Sequence, residues 1–309
     1  MLNKNISFNN FFFKSKKFYQ NLNKTKKIFN SFQLDLKNFE IPFLKCYEKD
    51  YIFDFSPSTV KKFSKYKNIV VIGMGGSILG TKSIYSFFEK KIKKNIFFFD
   101  NLDINLNLKE IKNLKKTCFI IVSKSGNTIE TISNLSLIFS KSLFQNKLII
   151  ITEIKNNALM NIAGKFNAEV IEHRDFLSGR YSVLSEVGML PAALMKLNIK
   201  KFRNLENLIN NKKFNSFLIK SVASIHTLNS QGVKNSVILN YDTRLNDLSM
   251  WYQQLTAESL GKKGKGITPT ISTMPKDNHS LLQLYLDGPK DKFFTFLNTF
   301  QKKNDQKVN

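Results

Sequence analysis

The segment Cys118-Phe-Ile-Ile-Val-Ser-Lys-Ser-Gly-Asn-Thr-Ile-Glu-Thr131 changes character half-way along its length. Cys118–Val122 is a continuous apolar run with β-branched residues, the pattern of a strand buried on both faces of a parallel sheet. Ser123, Lys124, Ser125, Gly126, Asn127 and Thr128 follow, all of them small, hydroxylated or cationic. Ile129, Ile132, Leu135 and Ile138–Phe139 then recur at spacings of three and four, which predicts a helix over Ile129–Leu143. Asn127, with Glu130 three residues later, is the expected N-cap. A strand that turns through hydroxyl groups into a helix N-terminus offers free N–H groups, O–H donors and a positive dipole end. A phosphate monoester needs those groups. Ser, Gly, Asn and Thr also make ordinary turns, so the rest of the chain has to decide.

A second loop of this kind precedes it. In Lys67-Asn-Ile-Val-Val-Ile-Gly-Met-Gly-Gly-Ser-Ile-Leu-Gly-Thr81 an apolar strand, Ile69–Ile72, runs into Gly73, Gly75, Gly76 and Ser77, with a helix expected to begin near Ser77. A dinucleotide fingerprint fails because Ile78 stands at the slot of the third glycine. A P-loop fails because Thr81 stands where its lysine belongs. What remains is a glycine turn that lets the backbone approach a ligand, with Ser77 as a hydroxyl donor. Further strands are expected at Ile96–Phe99, Leu148–Ile151 and Glu169–Ile171, and a helix at Leu79–Phe88. Strands alternating with helices predict an α/β fold, a parallel sheet flanked by helices. Ligands bind such sheets at the carboxyl ends of the strands, where both loops lie.

Downstream, Ser178-Gly-Arg-Tyr-Ser-Val-Leu-Ser185 contains one of only four arginines, Arg174, Arg180, Arg203 and Arg244. In a chain that otherwise uses lysine, Arg180 suggests planar support of a developing anion. After a lysine-rich helical link at about 196–233, a second α/β unit is expected. Its strands are Asn235–Tyr241, Ile267–Thr273 (weakened by Pro269) and 292–300, and its helix is Leu245–Leu260. Glu258 falls at the end of that helix, where the dipole holds a carboxyl proton more tightly. His279 follows the next strand in Asp277-Asn-His-Ser280. The domain reading is a helical extension over 1–60, a first α/β domain over 61–200 and a second over 201–309.

The 309 residues carry 48 Lys+Arg against 23 Asp+Glu, a formal charge of +25. The scarcity of arginine argues against specific nucleic-acid binding, because base readout and phosphate forks favour it. Abundant Lys, Asn, Ile and Phe are what an A/T-rich coding sequence produces, so much of the charge belongs on solvated faces. Nonspecific adhesion to polyanions at low salt is expected. No apolar run approaches the roughly 18 residues of a spanning helix, and the N-terminus has no signal-peptide core. The two cysteines, Cys46 and Cys118, lack metal-ligand spacing. The simplest location is the cytoplasm.

Gly73–Gly80, Ser123–Thr131, Gly179–Ser185, Gln254-Leu-Thr-Ala-Glu-Ser-Leu-Gly-Lys262 and Asn278-His-Ser280 resemble, in order, the signature segments of the glucose-6-phosphate isomerase family. The resemblance spans roughly residues 65 to 290. It implies two sugar-isomerase-type α/β domains, the second incomplete, and interconversion of glucose 6-phosphate and fructose 6-phosphate without metal or organic cofactor. It implies that Ser123, Lys124, Ser125 and Thr128 hold the phosphate, with Gly76 and Ser77 lining the sugar and Gln254 contacting it. It makes Glu258 the base that relays a proton between C2 and C1, and Arg180 the support of the enediolate. It makes His279 a ring-opening residue that reaches the site from the other subunit of a homodimer. Family chains continue past Asp287-Gly-Pro289 to a C-terminal helix with a ring-opening lysine, so that lysine is expected outside these residues. A module that binds sugar phosphate without isomerising it stays open, as does activity on mannose phosphate.

Overall fold

The computed structural model describes residues 13–38, 40–102, 111, 113–139, 147–203 and 205–299. The chain divides into two compact units, one of Ile41–Arg203 with Met250–Leu255, the other of residues up to Glu40 with Asn204–Ser249 and the chain from Thr256. In the first unit, strands β1 (Asn68–Ile72), β2 (Asn95–Phe99), β3 (Thr117–Val122), β4 (Leu148–Thr152) and β5 (Glu169–Glu172) form a parallel sheet in the order β2-β1-β3-β4-β5. Every residue of β1, β3 and β4 is buried. Each fully buried isoleucine or valine in them contributes roughly 1.5–3 kcal/mol, which is why these runs read as continuous rather than alternating. Cys118 lies among them, and burial pushes its thiol up to about 12.

Helices α2 (Pro57–Ser64), α3 (Leu79–Phe88), α4 (Ile129–Phe139), α5 (Ala158–Phe166) and α6 (Glu186–Leu194) complete this unit. The expected helix at Leu79–Phe88 is α3, and the residues near Ser77 lead into it as a tight 3-10 turn, Gly75–Ser77, with Gly75 in a left-handed backbone (φ 52°). The expected extension of α4 to Leu143 lies outside the described residues.

The strand order places a topological switch between β1 and β3. The chain leaves β1 toward β2 on one side, and β3 leads to β4 on the other. Loops at such a point diverge and open a crevice at the carboxyl ends of the strands. The glycine turn follows β1 and the hydroxyl loop follows β3.

In the second unit, β6 (Asn235–Asn240) lies between β7 (Thr268–Thr273) and β8 (Lys292–Leu297), all parallel. Pro269 sits in β7, an edge strand among the described residues, where a missing N–H is tolerated. Val237, Leu239 and Met274 pack with Tyr285 of α10 (Leu282–Asp287) and Phe294. Helix α1 (Lys16–Asn38) packs on α8 (Lys212–Ser230) through Phe18, Leu22 and Ala223. Asn21 donates to Thr227 Oγ1 at 2.9 Å inside that contact. The short α7 (Glu206–Ile209) precedes α8, and α9 (Asn246–Leu260) follows β6.

Asp242, just after β6, accepts from the Arg244 backbone N–H and Nε at 3.0 Å each, from Arg244 Nη2 at 2.5 Å and from the Thr299 hydroxyl. The Arg244 hydrogen bonds hold its carboxyl down at about 2, against an ordinary 3.8. A folded-state value below the unfolded one adds stability that is complete above pH 3.8 and lost as pH falls through about 2. Asp242→Asn is therefore expected to flatten the acid limb of the urea midpoint measured over that window.

Candidate active site

The hydroxyl loop is organised by its own hydrogen bonds. Ser123, almost fully buried, holds Thr128 Oγ1 at 2.7 Å through its Oγ. The Gly126 N–H donates to Ser123 Oγ at 3.2 Å, and the Asn127 N–H to Ser125 Oγ at 3.2 Å. Gly126 is left-handed (φ 70°), and a Cβ there would stand 2.1 Å from Asn157 Oδ1, so only glycine fits. The expected capping role of Asn127 is corrected. Its Oδ1 accepts from the Ala158 N–H at 2.9 Å, tying the loop to the start of α5, and Thr128 is the residue directly before α4. Ser125 and Asn127 are exposed, Thr128 half-buried. The first N–H groups of α4 have no partner within the helix, and the loop's hydroxyl residues directly precede them.

Lys124 is held by two neighbours of the loop. Its Nζ donates to the Asp175 carbonyl at 2.7 Å and lies 3.5 Å from Glu153 Oε1. In this arrangement the side chain ties the loop to Glu153 and Asp175.

The glycine turn meets two other segments. A Cβ on Gly76 would stand 2.2 Å from the Gly179 carbonyl carbon and 2.5 Å from the Arg180 nitrogen. Two backbones therefore touch, and Arg180 is carried beside Gly76 and Ser77. Ser182 Oγ, donating to Gly179 O at 2.7 Å and near Gly76 O at 3.3 Å, fastens the contact. Gly76→Ala is expected to cost roughly 1–3 kcal/mol through overpacking, read as a lower urea midpoint, because neither backbone can rotate away.

Arg180 donates from Nη1 to Ser178 Oγ at 2.9 Å, and its guanidinium lies 4.7 Å from the Tyr181 ring centre. Tyr181 is itself stacked on Phe43 at 4.4 Å. The Trp251 indole N–H donates to the Arg180 carbonyl at 2.9 Å. Gln254 Nε2 would lie 2.9 Å from a Cβ on Gly75. Residues 250–255 of α9 thus belong to the unit that carries both loops. Glu258, exposed, lies one turn beyond Gln254 in the last turn of α9, on the same helix face. His279, also exposed, ends the 3-10 turn Lys276–His279 after β7.

Sequence reasoning missed a buried polar network at the start of α6. Glu186, at the first turn of α6 and fully buried, accepts from Tyr51 Oη at 3.0 Å on both oxygens and from the Asp54 N–H at 3.1 Å. Arg174 Nε stands 3.7 Å away. Burial outweighs these partners and pushes the Glu186 carboxyl above its ordinary value. Arg203 donates to the carbonyls of Cys46 (2.6 Å), Glu48 (2.9 Å) and Leu184, with its guanidinium 4.8 Å from the Tyr51 ring and 4.6 Å from Phe53. The one signal in the sequence was a glutamate, Glu186, inside the apolar stretch Val183–Pro191.

Residues 55–276 match the sequence profile of the family described as phosphoglucose isomerase. The chain belongs to this family. It is 38% identical over 273 residues to the glucose-6-phosphate isomerase of Methanocaldococcus jannaschii, covering 84% of this chain and 67% of that protein. It is 36% identical over 269 residues to the probable glucose-6-phosphate isomerase of Methanococcus maripaludis (81% and 60%), and 32% identical over 265 residues to that of Campylobacter jejuni (80% and 64%). The chain thus spans 60–67% of the length of these curated relatives. Among solved structures, a hypothetical protein of Thermus thermophilus superimposes with a TM-score of 0.73 at 24% identity, over 91% of this chain and 72% of that one. A glucose-6-phosphate isomerase of Chlamydia trachomatis superimposes with a TM-score of 0.65 at 23% identity, over 77% and 51%. These two share the fold, sugar-isomerase-type parallel sheets flanked by helices. The phosphoglucose isomerase match includes both loops, Arg180, Gln254 and Glu258, and ends three residues before His279. Among the described residues no helix is long and apolar enough to cross a membrane.

Proposed function

We propose that this chain interconverts glucose 6-phosphate and fructose 6-phosphate by proton transfer through a cis-enediol. The phosphate lies on the backbone and hydroxyls of Ser123, Ser125 and Thr128, with the Lys124 charge behind them, and orients carbons several bonds away. Gly76 and Ser77 line the sugar, and Gln254 contacts it. The Glu258 carboxylate takes the C2 proton, and the C–H electron pair forms the C1=C2 double bond as charge moves onto O1. The O2 hydroxyl proton passes to O1, and Glu258, now protonated, returns its proton to C1 as the O2 electron pair re-forms the carbonyl at C2. Arg180, its plane held against Tyr181, stabilises the oxygen charge in between. His279, supplied by the second subunit of a homodimer, assists ring opening. The setting is cytoplasmic, with Cys46 and Cys118 as buried thiols.

The observation that supports this reading best is the pair of close approaches at Gly75 and Gly76. They bring the glycine turn against Arg180 and the helix segment preceding Glu258, in the compact unit that also carries the hydroxyl loop. The test is fructose 6-phosphate incubated with the chain in D2O and followed by NMR. Deuterium at C1 of fructose 6-phosphate and C2 of glucose 6-phosphate is expected. Binding without deuterium uptake would instead identify a sugar-phosphate-binding module.

A further inference from the structure

A concavity in the first unit lies away from the candidate active site. It is a cavity of about 540 Å³ at the opposite end of the sheet, by the amino ends of β1 and β2. Its charged lining is Lys65, Lys67, Lys91, Lys93, Lys94 and Lys196. Five residues of β1 separate it from the glycine turn, about 16 Å. Lysines scattered by compositional drift would point into solvent in all directions. These six line one hollow, and among the described residues no carboxylate lines it and no ion pair engages any of them.

The local structure explains how so many cations are held together. The C-terminal ends of α2 (Ser64, Lys65), of the 3-10 turn that continues α3 (Lys91) and of α6 (Met195, Lys196) all reach the cavity. Each helix end carries about −0.5 of an elementary charge, so three offset about −1.5 and leave an excess of roughly four positive charges. Lys94 is fixed in the wall, donating to the carbonyls of Ser64 at 2.9 Å and Tyr66 at 2.8 Å. Lys196 keeps a left-handed backbone (φ 64°) that glycine would adopt without strain.

We propose that this cavity binds a short chain of linked phosphates, of the inorganic polyphosphate class. Consecutive phosphates bring several negative charges into so small a volume. A single-stranded nucleic acid would need aromatic faces for its bases, and the wall offers none. Tyr66 is 7% exposed with the Lys65 ammonium 5.4 Å from its ring centre, and Met195 is 2% exposed. Lysine suits the role, since it binds phosphate as a point charge and needs no planar fork.

The test is titration calorimetry of the full chain with inorganic tripolyphosphate at about 50 and 200 mM salt. The paired variant Lys67→Glu/Lys93→Glu changes two exposed side chains, and its fold is checked by circular dichroism and melting temperature. Lys67→Gln/Lys93→Gln serves as a milder second variant. Tripolyphosphate is expected to bind with clear salt dependence and to lose at least about tenfold in affinity in the charge-reversed pair, less in the glutamine pair. Thr128→Val, which alters the hydroxyl loop, is expected to leave this binding unchanged. The proposal is overturned if tripolyphosphate does not bind or binds both lysine pairs as it binds the unaltered chain. Loss of binding in Thr128→Val, inorganic monophosphate binding as tightly, or displacement by a single-stranded oligonucleotide at lower concentration would each overturn it as well.

Discussion

Glu258→Gln is expected to slow isomerisation by about 10²–10⁴-fold, the usual worth of a positioned general base, while sugar-phosphate affinity changes little. The amide keeps the shape of the side chain and its place one turn beyond Gln254, but it cannot take the C2 proton. Phosphate binding rests on residues that the substitution does not touch, Ser123, Ser125 and Thr128. A coupled assay for the rate, together with calorimetry for binding of fructose 6-phosphate, separates the two effects. Unchanged turnover in the variant would remove Glu258 from the mechanism. Turnover and binding lost together would mean that the residue shapes the site rather than moving the proton.

The largest effect on folding is expected at Glu186. Glu186→Ala leaves the Tyr51 hydroxyl, the Asp54 N–H and the Arg174 guanidinium without their common buried acceptor. Breaking a fully buried charged network costs roughly 3–5 kcal/mol, to be read from urea unfolding. Glu186→Gln keeps an acceptor oxygen and is expected to cost less. The pH dependence has a definite sign. Burial raises the folded-state carboxyl above its ordinary 4.5, so between the unfolded and folded values the native chain holds the extra proton. The contribution of this group to stability is full below the unfolded value and declines as pH rises through the folded one. Glu186→Gln removes that slope, and an identical slope in the variant would assign it to other groups.

Of these two residues only Glu258 had a role readable in the sequence. Glu258 has a matching position in the phosphoglucose isomerase pattern. Glu186 is an acidic letter in an apolar stretch, and its acceptor role depends on Tyr51 and Asp54, more than 130 positions earlier. Lys124 adds partners that its place in the hydroxyl loop does not announce: its ammonium meets the Asp175 carbonyl and Glu153.

The sequence alone determined the strands, the parallel α/β class and the positions of the two small-residue loops. Continuous apolar runs, helical spacing and turn residues are local consequences of burial and backbone preference. Tertiary structure alone decided that β1 and β3 are neighbours at the switch point and that the Gly76 backbone touches Gly179. It also decided that Asn127 ties down α5 and that six lysines separated along the chain share one hollow. Those facts depend on which distant segments come together. No periodicity records that choice, because it is made by packing volume and by the pairing of buried polar groups after the elements have formed.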